Sequence, residues 1–224
     1  MFAGSHTNSE EKMHMSQFAH EQAEAPAPAP AREGSPAGAG IFVGLVPWFL
    51  FTIIAEHGTL KVASIASVVI AVGVCLYSMR GGKRPKMIEV AAVATFVVFT
   101  VIAFIADPSV SHWLTRYARA VAAAVLAVLV FGSLLFVPFT EEYARESVPR
   151  QYWDSPKFKA INRRLTALWG GVFAVMTVSH VIAGTIDHRG TNIIFNWAIP
   201  IALVLWGVKQ SKPSDDAPVV QPQA

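Results

Sequence analysis

The sequence predicts an all-α, polytopic integral membrane protein: six transmembrane helices in a bundle, behind a disordered N-terminal tail. Three observations predict it. Only 15% of the 224 residues are charged and 53% are hydrophobic, whereas a soluble domain carries about 25% charged residues. Apolar stretches recur along the chain at lengths near the roughly 20 residues that a helix needs to cross a bilayer. The basic residues gather at the boundaries of those stretches instead of forming a stripe, a pattern that speaks for membrane orientation and against nucleic acid.

Residues 1–40 stand apart. They hold no apolar segment of the kind a cleavable signal needs, and APAPAPAR followed by EGSPAGAG favours extended polyproline and coil. We therefore expect a disordered cytoplasmic tail over 1–40, a six-helix membrane domain over 41–208, and a short disordered cytoplasmic tail over 209–224. His6, His14 and His20 are too loosely spaced in that tail to suggest a metal site.

The six apolar stretches are 38–55, 60–78, 87–106, 118–138, 165–186 and 193–208. The first and last are short and contain Pro47 and Pro200, which a spanning helix tolerates when neighbours satisfy the freed carbonyl. In the second, Ala63, Ser67 and Ala71 form a small face that lets helices approach; Ala118, Ala122 and Gly132 do so in the fourth, Gly170 and Ala174 in the fifth. Trp48, Trp113, Trp153, Trp169 and Trp197 fall near span ends and read as interfacial anchors. Cys75, the single cysteine, reads as a buried inert thiol.

Orientation follows from charge. With six spans and both termini inside, fourteen of the eighteen Lys and Arg residues are cytoplasmic; Lys61, Arg116, Arg119 and Arg189 are outside. Removing the third or fourth span would put the two basic loops on opposite sides. We expect the bacterial plasma (inner) membrane as location. The basic groups Arg80, Lys83, Arg84, Lys86, Arg163 and Arg164 are then expected to meet anionic lipid head groups.

The longest polar interval, FTEEYARESVPRQYWDSPKFKAINRR, precedes the fifth span. Glu141 with Arg145, and Glu146 with Arg150, stand at helical i,i+4 spacing, so a short surface helix is expected before Pro149. On the opposite side lie Glu56, His57, Asp107, His112, Asp187 and His188. Histidine and carboxylate can bind metals or haem, but no ligand spacing supports a metal or cofactor, and no nucleophile, paired-carboxylate or phosphate-loop pattern is recognisable. His180 differs, because it falls inside a span. An ionisable residue there is a candidate functional group; the alternative, which we favour, is a hydrogen bond to a hydroxyl or backbone carbonyl on another helix.

The layout also resembles the intracellular septation protein A family and related bacterial inner-membrane proteins. The resemblance runs from about Val46 to Trp206 and rests on LVPWFLF, on YSMRGGKRPKMIEV, on ADPSVSHWLTRYARAV, and on FKAINRRLTALWGGVFAV. Arg84, Lys86 and Met87 match the basic step into the third span. Asp107, Pro108 and Trp113 match the outer loop, and Asn162 and Trp169 match the start of the fifth span. The long tail and the 139–164 loop depart from the pattern. The resemblance implies a non-enzymatic envelope protein linked to septation, with division or cell-wall synthesis proteins as partners; the sequence leaves an oligomer open. A rival function is a small permease built around His180, Thr177, Ser179 and Asn196. A metal- or haem-binding membrane protein is a third.

Overall fold

The computed structural model describes residues 37–80, 82, 84–186 and 188–211, with no side-chain description for 37–39 and 57. Among these the fold is helical, without a strand: α1 (Ala37–His57), α2 (Leu60–Ser78), α3 (Met87–Ile105), α4 (Pro108–Ser133), a short α5 (Phe139–Ala144), a single 3₁₀ turn (Arg150–Tyr152), and α6 (Pro156–Ile186). The last helix, α7 (Arg189–Ser211), begins as an α-turn, passes through a π-turn at Ile194–Ala198, and ends as the α-helix Ile199–Ser211. Helices α2, α3, α4, α6 and α7 are long and apolar enough to cross a membrane. In α1 the apolar part, Gly40–Glu56, is shorter.

Their outer surface is apolar. Val69, Val98, Val128 and Leu205 are all more than half exposed, as expected where lipid replaces water as solvent. Residues 1–36 of the expected disordered tail lie outside the described residues, and at the tail's described edge the expectation is corrected. There α1 begins at Ala37 and takes in residues 37–40, and α7 likewise runs through 209–211.

The bundle is assembled around α1, which packs on α2, α3, α4 and α5. Pro47 is fully buried in it. Trp48 and Phe51 meet Phe96 at ring separations of 5.1 and 5.0 Å, and Phe51 meets Phe99 at 5.3 Å. Helix α2 lies close on α3, with Ala63, Ser67 and Ala71 all fully buried on the expected small-residue face. The largest interface joins α4 to α6. Gly170 sits under the Phe131 ring and Gly184 under the Tyr117 ring, where a Cβ would lie only 2.8 Å from ring carbon. Gly132, expected to do the same on α4, faces open space. Arg116 of α4 closes the interface by donating from Nε to Gly184 O and from Nη2 to Thr185 O (3.3 Å), which caps the last carbonyls of α6.

Several expectations are corrected. Helix α4 starts ten residues before the stretch expected, because Asp107 caps it and Pro108 takes its first position, where no N–H is needed. Helix α6 likewise starts at Pro156 instead of residue 165. The expected surface helix exists as α5 but is buried: Phe139, Thr140, Glu141 and Tyr143 all face the bundle. Trp48 and Trp169 are core residues, each 4% exposed, and not interfacial anchors. Their rings supply the bulk that fills space between helices. Cys75 is half-buried.

The π-turn has a local cause. Pro200 has no N–H for the Asn196 carbonyl, and the Ile199 N–H reaches back to Ile194 O. Phe195 O, freed from its α-helical donor, accepts instead from Ser179 Oγ on α6 at 2.6 Å. The wide turn also swings Asn196 inward, where it is buried.

Candidate functional site

The polar groups that leave the loops collect at the end of the bundle formed by the C-terminus of α1 and the N-termini of α4 and α7. A continuous chain of side chains crosses four helices there. Arg119 (α4) pairs with Glu56 Oε2 (α1). Asn192 Nδ2 (α7) donates to Glu56 Oε1 at 2.9 Å, Asn196 Nδ2 donates to Asn192 Oδ1, and Asn196 Oδ1 meets His180 Nδ1 (α6) at 2.6 Å.

The chain has one polarity. An ionised Glu56 accepts only, so each asparagine turns its amide nitrogen toward Glu56 and its oxygen toward His180. His180 must therefore donate from Nδ1, and in the neutral ring Nε2 is an acceptor. His180 does bond another helix, as the favoured reading expected, but its partner is the Asn196 side-chain amide and not a hydroxyl or backbone carbonyl.

Two spaces adjoin this chain. A groove of about 180 Å³ lies between α1, α6 and α7, walled by apolar side chains with His180 and Asn196 among them. A smaller cavity of about 30 Å³ lies between α1, α4 and α6, and its wall includes Trp48, Thr52, Arg119 and His180. Thr52, Phe49, Met176 and His180 line both.

The opposite end is held by charges. Glu89, 1% exposed, accepts from Ser78 Oγ (2.9 Å) and from the Lys86 backbone N–H (3.1 Å). Lys86 also bridges to Glu146 at 3.3 Å and lies over the Tyr143 ring at 4.6 Å. Glu142 accepts from the Met87 N–H at 2.9 Å. Burial raises the Glu142 carboxyl above its usual range, against the lowering effect of that N–H. Burial, and then Glu89, Glu142 and Glu146, push the Tyr143 phenol far above its ordinary value. Arg145 bonds Glu141 at 2.6 Å, the i,i+4 pair expected. Thus the two basic loops, 80–86 and 139–164, meet at one end of the bundle.

The residues singled out from sequence divide between these ends. Glu56 and His180 share the polar chain. Asp107 caps α4, accepting from Ser109 and Val110 N–H at 2.9 and 3.1 Å; a bond from the Ser109 hydroxyl, and then those two, lower its carboxyl pKa. Asn162 is buried near the other end: Nδ2 bonds Phe158 O in its own helix, and its backbone carbonyl accepts from Thr140 Oγ1, which holds α5 down. Trp169 Nε1 donates to Ser211 Oγ at 3.2 Å and ties α6 to α7.

Arg80, Arg84, Arg163 and Arg164 are exposed. Lys86 is not a lipid-facing group: its side chain is 12% exposed and folded onto Glu89 and Glu146, because buried carboxylates there require a cation. Lys83, Asp187 and the His57 side chain lie outside the described residues. His188 caps α7, accepting from Gly190 N–H at 3.2 Å. Among the described residues no three His, Cys, Asp or Glu side chains gather as a metal ion requires.

Sequence reasoning missed Arg119, Asn192 and Trp48 as site residues. A carboxylate immediately after an apolar stretch was the available signal, since Glu56 needs a cation once it leaves water. Comparison with protein-family models, curated proteins and solved structures returns no match for this chain. The arrangement can lock four helices together, and it can present hydrogen-bonding groups to a molecule lying in the groove.

Proposed function

We propose that this chain crosses the bacterial inner membrane six times with both termini cytoplasmic, and serves there as a non-enzymatic architectural protein of the cell envelope. It would act in septation or wall synthesis through contacts with lipid and with other membrane proteins. The observation that carries this reading is the chain from Arg119 to His180. It commits to other helices the groups that a permease would turn toward a substrate. The topology is supported by the fourteen-to-four division of basic residues, and by the meeting of the two basic loops at Lys86 and Glu146. Arg80, Arg84, Arg163 and Arg164 then face anionic head groups, each contributing about 1 kcal/mol.

The permease reading keeps one observation in its favour, that His180 and Asn196 line the groove. A deletion strain scored for septum placement and envelope leakage separates the two. His180→Gln should restore normal division, because an amide preserves a hydrogen bond worth about 0.6 kcal/mol in membrane bundles. A variant present at normal abundance that fails to complement would overturn the architectural reading. Reporters fused after Arg84 and Arg150 should both read cytoplasmic, and reporters after His112 and His188 periplasmic.

A further inference from the structure

We propose that the groove between α1, α6 and α7 binds a membrane lipid ending in an uncharged hydroxyl. Its chain would lie in the groove and its hydroxyl in the adjoining cavity beside Trp48, Thr52, Arg119 and His180.

The cavity sets the head group. Trp48 Nε1 and Arg119 Nη1 are both buried N–H groups with no hydrogen-bond partner among the described residues, a costly state for any donor shielded from water. Both residues wall the cavity. The same wall offers two acceptors. His180 Nε2 carries a lone pair, since Nδ1 is committed to Asn196. Thr52 Oγ1 uses its proton on Trp48 O at 3.0 Å and keeps its lone pairs. Two donors and two acceptors suit an oxygen that both accepts and donates, which a hydroxyl does and a carbonyl does not. The charge balance excludes an anion: Arg119 is already neutralised by Glu56, so a phosphate or carboxylate head would stand uncompensated away from water.

The groove sets the tail. At about 180 Å³ its wall is apolar apart from His180, Asn196 and Thr52. Its rim residues Ile53, Ile201 and Leu205 are 47%, 53% and 65% exposed on the outer surface of the bundle, where acyl chains lie. Because His180 and Thr52 wall both spaces, a chain in the groove ends where the hydroxyl is wanted.

The experiment uses the full chain in phosphatidylcholine nanodiscs with hexadecanol carrying a diazirine in its alkyl chain. Photolabelling should fall on 49–53 and 197–205, and excess hexadecanol should compete while hexadecane and hexadecyl phosphate do not. Losing one donor in Trp48→Phe should cut specific labelling about fivefold, as one net hydrogen bond predicts. Thr52→Val tests the acceptor side should Trp48→Phe not fold. Ile201→Trp, which fills the groove from its rim without touching the polar chain, should abolish labelling. Equal competition by hexadecane, with Trp48→Phe and Thr52→Val labelled normally, would mean that the cavity reads no head group, and would overturn the proposal. Stronger competition by hexadecyl phosphate would overturn it in favour of an anion site.

Discussion

At the end of the bundle that holds α5, formal charges do the joining: Lys86 among Glu89 and Glu146, Arg145 on Glu141, and Glu142 on a backbone N–H. At the opposite end the ion pair of Arg119 with Glu56 is extended by neutral amides and an imidazole until it reaches α6. The first set sits where helices meet loops, and its buried carboxylates, Glu89 and Glu141, are each answered locally by a cation or a backbone N–H. The second runs along helix faces, where only another helix can satisfy a polar atom. A loop-end network therefore holds several charges because each is paired within a turn or with the facing loop. An in-bundle network must be neutral on balance and continuous, so losing one member strands the others.

The largest effect should follow from that continuity. Arg119→Leu leaves the partly buried Glu56, whose side chain is 17% exposed, without its cation and should cost about 2–3 kcal/mol in unfolding free energy measured by steric trapping in bicelles. Adding Glu56→Leu should recover much of the loss. A double variant no more stable than the single would mean that the pair is not the anchor of the chain.

At the α5 end packing, more than charge, should be limiting. A Cβ added at Gly44 collides with the Tyr143 hydroxyl, so Gly44→Ala should cost about 1–3 kcal/mol by overpacking. Tyr143→Phe should rescue it, because that hydroxyl has no hydrogen-bond partner among the described residues. Failure of the rescue would place the strain elsewhere on α1.

The smallest effect is a pH slope. Because the Glu142 carboxyl titrates higher in the folded chain than in the unfolded one, the folded state holds the extra proton between the two values. Its contribution is intact below the unfolded pKa and is lost as pH rises through the folded one. Glu142→Gln keeps an acceptor for the Met87 N–H and should flatten that part of the stability curve, leaving the variant equal or more stable at neutral pH. An unchanged slope would assign it to another group.

Much of the fold was legible because lipid imposes a simple code. Apolar length located α2, α3 and the last helix closely, and the spacing of Ala63, Ser67 and Ala71 identified a buried face. Hydropathy alone places the starts of α4 and α6 too late, because Asp107–Pro108 caps the one and a polar helical run after Pro156 opens the other. The site was half legible. His180 and Glu56 stood out as ionisable groups within or beside spans, and Asn196 as a polar neighbour. Asn192 looked like a loop residue and Trp48 like an interfacial anchor.

The sequence by itself determined that long apolar helices dominate this protein, and their approximate lengths, because both depend on composition added up along the chain. Tertiary structure alone decided that Arg119 answers Glu56 across 63 positions, that α5 is tucked into the bundle, and that a π-turn before Pro200 brings Asn196 to His180. Those outcomes depend on which helix faces turn toward one another. A hydropathy pattern constrains that rotation weakly when lipid and protein interior are equally apolar.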